Sequence, residues 1–145
     1  MTNKKKKYLF KITVDGPNDA LNQDVLKIIT QSYVQIHGLG IYETTKETDN
    51  EQINTVIMSP KHDAMHFILS LSYKRSSGAL IVLEEKYKDR VHEYEERVVK
   101  NAGEIPTRII VIPKETNSEE LKKLVEKYLD ELIDAIIEIK IGGNK

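Results

Sequence analysis

Three short apolar runs, separated by stretches of helical periodicity, limit what this chain can fold into more than any other feature. Val56-Ile57-Met58 ends at Ser59-Pro60 and gives way to a helical pattern as far as Gly78. Ala79-Leu80-Ile81-Val82-Leu83 follows, and then a charged helical pattern to Gly103. Ile109-Ile110-Val111-Ile112 is the third run, closed by Pro113. A strand with one wet face alternates in polarity, whereas an unbroken β-rich run has both faces buried, as in a parallel sheet covered by helices on each side. Residues 55–112 therefore read strand, helix, strand, helix, strand. The expected fold is a three-layer, Rossmann-like α/β domain of about five strands, mostly parallel.

The flanks extend this pattern. Tyr8 to Val14 alternates as a strand and stops at Asp15-Gly16-Pro17-Asn18. Asn18 is placed to cap a helix whose stripe is Leu21, Val25, Ile28, Ile29, Ser32 and Ile36, ending at Gly38 or Gly40. Ile41–Thr45 and Ile53–Ile57 flank Asp49-Asn50 and read as a hairpin; the alternative is a polar loop with only the second strand formed. Either that hairpin or Tyr8–Val14 supplies an antiparallel edge. Ser59-Pro60 suits a helix start, with Met65, Ile68, Leu69 and Tyr73 facing the core. Lys86–Ala102 carries a narrow stripe of Tyr87, Val91, Tyr94 and Val98 in an otherwise charged helix. Asn117 with Glu120 resembles a capping box before the helix of Leu121, Leu124, Val125, Tyr128, Leu132 and Ile136. Ile137, Ile139 and Ile141 then alternate with Glu138 and Lys140 as a final strand.

At 145 residues the chain is sized for one domain, expected over 8–145 behind a flexible basic tail over 1–7. Lys4 to Lys7 form an arm for nucleic acid or acidic lipid on one reading and a solvated tail on the plainer one. A net charge of −1 gives no general attraction to nucleic acid. With no cysteine, a disulfide framework and thiolate chemistry are excluded. The apolar runs are too short to span a bilayer, and a cytoplasmic protein without membrane contact is expected.

In an open parallel sheet, ligands bind beyond the carboxyl ends of the strands, where loops enter helix N-termini. Four loops qualify, and they bring Asp15, Gly16 and Asn18; Ser59, Lys61 and His62; Glu84, Glu85 and Lys86; and Lys114 and Thr116. Free amides with lysines beside them suit a phosphate-bearing ligand. The plainer reading of each single loop is a cap or a turn. His62 and His66 stand four apart with Asp63 between them, but no third ligand is indicated and His37 and His92 are remote in sequence. No metal is assigned, and His62 alone is read as a ligand contact or acid–base group. Asp15, Asp19, Glu84 and Glu85 could gather around magnesium, although acids on two loops are more simply solvated. No phosphate-loop motif, Gly-x-Gly-x-x-Gly or nucleophile elbow occurs. No cofactor and no reaction are assigned.

Two stretches resemble the CRISPR-associated Rossmann-fold (CARF) family of ligand sensors. One is the strand–helix order of Thr55 to Leu132, including Ala79-Leu80-Ile81-Val82-Leu83-Glu84-Glu85-Lys86 as a strand leading straight into a charged helix. The other is Ile139-Lys140-Ile141-Gly142-Gly143-Asn144-Lys145, similar to that family's strand ending in Gly-Gly-x-Lys. The resemblance implies a homodimer in antiviral defence whose symmetric cleft binds a cyclic oligonucleotide. Two functions are carried forward from the sequence. One is a regulatory nucleotide-binding domain; the other is a non-enzymatic module that grips a protein or nucleic acid through helix 86–102 or the lysine arm.

Overall fold

The computed structural model describes residues 6–29, 33–36, 39–47, 51–60 and 73–142. Its strands are β1 (Lys6–Asp15), β2 (Tyr33–Ile36), β3 (Leu39–Glu47), β4 (Glu51–Pro60), β5 (Gly78–Glu84) and β6 (Thr107–Ile112). Its helices are α1 (Asp19–Ile29), a 3₁₀ turn (Glu85–Arg90) running into α2 (Val91–Ala102), and α3 (Ser118–Gly142). The strands form one sheet in the order β2-β3-β4-β1-β5-β6. Within it β4, β1, β5 and β6 are parallel, while β2 and β3 add an antiparallel edge.

The α/β expectation holds, with six described strands in place of about five. The antiparallel edge comes from the 40–58 hairpin, since β3 pairs with β4 from Leu39↔Pro60 to Glu47↔Gln52. Its turn, with Asp49 and Asn50, lies outside the described residues. Tyr8–Val14 belongs instead to the middle of the sheet, where β1 has a parallel neighbour on each side. Lys6 and Lys7 already pair with Glu51 and Gln52, so β1 starts inside the lysine run; Lys4 and Lys5 lie outside the described residues.

The unbroken apolar run of β5 divides between two cores. Leu80 and Val82 join Phe10, Ile12, Val14 and Ile57 beneath α1 and α3, which contribute Val25, Leu26, Val125, Leu132 and Ile136. Ala79, Ile81 and Leu83 face the other way, into a smaller core with Tyr73, Tyr94 and Val98. Helical side chains thus cover both faces of the sheet, and that gives the three layers. Burial on both sides is the physical reason for a strand without alternation.

Three element boundaries differ from the sequence reading. The first expected helix was to reach Ile36, but α1 ends at Ile29 and Tyr33–Ile36 pairs antiparallel with β3. Tyr33, Val34 and Ile36 are aromatic or β-branched, losing rotamer freedom in a helix and suiting a strand once a partner lies alongside. Ser59 and Pro60, expected to open a helix, are the last residues of β4 and pair with Gly40 and Leu39. A proline at the end of a strand forfeits little of the ladder. The helical pattern over 61–72, with Met65, Ile68 and Leu69, lies outside the described residues. The final strand does not form. Residues 137–142 continue α3, because Leu132, Ile133 and Ile136 already bury one helical face and each further turn extends an existing ladder. The Gly-Gly-x-Lys similarity therefore begins on a helix, with Gly143, Asn144 and Lys145 outside the described residues.

Candidate functional site

Strands β1 and β5 are neighbours whose onward connections leave in opposite directions, toward β4 and toward β6. Ligand sites in open α/β sheets form beyond the carboxyl ends of such a pair. Gly16 follows β1 here and presses on β5: a Cβ on it would lie 2.2 Å from the Val82 carbonyl oxygen. Only glycine permits that approach. The Asn22 amide donates to the Gly16 carbonyl at 3.0 Å. Asn18 caps α1 as the sequence predicts, its Oδ1 accepting from the Leu21 amide at 3.2 Å, and its Nδ2 donates to Glu84 Oε1 at 2.9 Å. The first turn of α1 is thereby tied to the end of β5.

A cleft of about 680 Å³ opens on the α1 side of this junction. Ala20, Leu21, Ile112 and Pro113 supply its apolar surface, and Lys86, Lys88 and Lys114 bring positive charge. Asp24, Glu84 and Glu85 bring negative charge to the same space. Glu85 Oε2 accepts from the Lys114 backbone amide at 3.3 Å, linking the 3₁₀ turn to the loop before α3. Thr116 closes that loop by donating its hydroxyl to the Pro113 carbonyl at 2.7 Å. The Asn117 side chain then caps α3, accepting from the Glu120 amide at 2.9 Å. The volume and the mixture of apolar and convergent polar groups are those of a small-molecule site.

On the opposite face of the sheet Asp15 is buried, and its carboxylate is held from several sides. Tyr73 donates its hydroxyl to Oδ2 at 2.6 Å, Arg97 Nη1 reaches the same oxygen at 3.1 Å, and the Gly16 amide binds Oδ1 at 2.8 Å. Burial, followed by the Asp15 charge, pushes the Tyr73 phenol far above its ordinary range. Burial works against the Arg97 charge, but Asp15 more than offsets it and leaves the guanidinium more firmly charged than usual. The Arg97 guanidinium lies 4.7 Å from the centre of the Tyr94 ring, and Arg90 stacks 5.4 Å from the same ring. Burial, and then Asp15, also raises the Tyr94 phenol, whose hydroxyl has no hydrogen-bond partner among the described residues.

Of the residues singled out from sequence, Asn18, Glu84, Glu85, Lys86, Lys114 and Thr116 do come together at the cleft. Asp15 and Gly16 lie next to it, but Asp15 is committed to Tyr73 and Arg97 on the other face. Asp15, Asp19, Glu84 and Glu85 do not form a magnesium site: among the described residues no three acids or histidines are grouped to hold a metal. Ser59 is buried within β4. Lys61, His62 and His66 lie outside the described residues, as does His37. His92 pairs with Glu96 at 3.1 Å on the exposed side of α2. Sequence reasoning missed Lys88 in the cleft and Arg97 as the partner of Asp15. Arg97 lies three residues after Tyr94, a cation bordering an apolar stripe, and that was the available signal. No family model matches the chain, and no curated protein matches it either.

Proposed function

We propose that this is a regulatory ligand-binding domain for a compound of the nucleotide class, cyclic oligonucleotides included, held in the cleft beyond β1, β5 and β6. The observation that carries the reading is three lysines, Lys86, Lys88 and Lys114, around a partly apolar cleft beside the point where the sheet connections diverge. Phosphate oxygens suit the lysines, and a base suits Leu21, Ile112 and Pro113. Compared with the sequence reading, the anion contacts move away from Ser59 and toward Lys86 and Lys88. A homodimer belongs to this reading, and α3, which leaves Ile139 exposed, is the surface offered for it.

A thermal-shift screen with nucleoside phosphates, cyclic oligonucleotides and inorganic phosphate tests the reading. A ligand at 100 times its dissociation constant adds about 2.7 kcal/mol, a rise of several degrees in a domain of this size. Lys114→Ala is expected to weaken that ligand by about 1–3 kcal/mol without lowering the melting temperature of the free protein. If no compound shifts the unfolding, the second reading gains: an interaction module using the outer side of α2. There Val99 is 55% exposed, beside a shallow groove formed with His92, Glu95, Glu96 and Lys100.

A further inference from the structure

Charges of both signs line the cleft without neutralising each other. Glu84 and Glu85 each take one hydrogen bond from a neutral donor, the Asn18 amide and the Lys114 backbone N–H. Neither forms an ion pair among the described residues, and neither does Lys86, Lys88 or Lys114. In the open cleft this costs little, because water solvates exposed charges and surface pairs contribute little. A bound ligand changes that balance. Where a ligand displaces water from one of these groups, that carboxylate or ammonium becomes unfavourable unless the ligand supplies its complement.

We infer that the cleft selects a ribonucleotide, binding its phosphate through Lys88 and Lys114 and its vicinal sugar hydroxyls through the free carboxylate oxygens of Glu84 and Glu85. The inference rests on the nucleotide reading above and narrows it. Inorganic phosphate answers the lysines and leaves the glutamates desolvated. An uncharged nucleoside answers the glutamates and leaves the lysines. A nucleoside phosphate brings acceptors and donors together, and two neighbouring hydroxyls can donate side by side to carboxylate oxygens, which only accept. The cleft of about 680 Å³ leaves room for the base against Leu21 and Ile112.

Calorimetric titration of the full chain with the four ribonucleoside monophosphates and their 2′,3′-dideoxy counterparts tests this. At least one ribonucleotide is expected to bind, and its dideoxy form should bind about tenfold to a hundredfold more weakly, the range for hydrogen bonds to a charged group. Glu85→Ala, at an exposed position and with its fold checked by circular dichroism, should weaken the ribonucleotide and leave the dideoxy compound nearly unchanged. Equal affinity for both forms, or equal losses on Glu85→Ala, overturns the sugar assignment while the nucleotide reading stands. Binding by inorganic phosphate as tight as by any nucleotide overturns it in the same way. If neither series binds, the sugar assignment falls; if the thermal-shift screen is also silent, the nucleotide reading falls with it.

Discussion

Replacing Tyr73 by Phe removes one oxygen from a fully buried position, and its effect should depend strongly on pH. The lost bond is 2.6 Å long and runs to the Asp15 carboxylate. Hydrogen bonds to charged groups contribute about 1.5–3 kcal/mol, so the variant should be less stable by about that amount near pH 8. The folded-state phenol has its pKa raised far above the ordinary value of 10.0. Above pH 10 the unfolded chain gives up this proton and the folded chain keeps it, so the unfolded state binds fewer protons and native stability falls as pH rises. One such proton is about 1.4 kcal/mol per pH unit, which amounts to about 2 kcal/mol by pH 11.5. Phenylalanine cannot titrate and escapes this loss. The stability gap between wild type and Tyr73→Phe should therefore narrow steadily above pH 10 and nearly close by about pH 11.5. Every other group cancels in the difference, including Tyr94, which is also raised, and Lys11, which burial and Lys74 lower. Urea unfolding followed by circular dichroism, at fixed ionic strength from pH 8 to 11.5, gives the two curves. Parallel curves over that range would show that the folded protein does not hold the Tyr73 proton above pH 10, and would refute the raised phenol.

Two packing predictions concern the turn after β1 and the end of α3. Gly16→Ala would place a methyl 2.2 Å from the Val82 carbonyl oxygen, a backbone atom that cannot rotate away, and about 3 kcal/mol of stability should be lost; an unchanged urea midpoint would show that the turn has room. Ile136 is buried and Ile139 is 58% exposed on the same helix. Ile136→Ala should cost about 2–5 kcal/mol and Ile139→Ala within about 0.5 kcal/mol; similar losses at both positions in chemical denaturation would contradict the helical phase of residues 136–139.

The sequence alone determined the central strands and the caps at Asn18 and Asn117, though not the one expected at Ser59, because these depend on short-range chemistry. An unbroken run such as Ala79–Leu83 has few fates besides a doubly covered strand, and the side chains of Asn18 and Asn117 bond to amides only three residues away. It also grouped Asn18, Glu84, Glu85 and Lys114 at the carboxyl ends of the strands, and these four do line one cleft there. What it left undecided depended on which elements came to lie against a segment, and a local residue pattern does not contain that. Tyr33–Ile36 is a strand because β3 lies alongside it, and no helical count over residues 18–36 registers that neighbour. Residues 137–142 alternate like a strand, yet they follow a helix already anchored through Leu132 and Ile136. Asp15 looked like a loop acid facing solvent until the fold brought Tyr73 from 58 residues away and Arg97 from 82. A carboxylate removed from water needs donors, and which donors reach it is decided by how the layers pack rather than by the residues beside it.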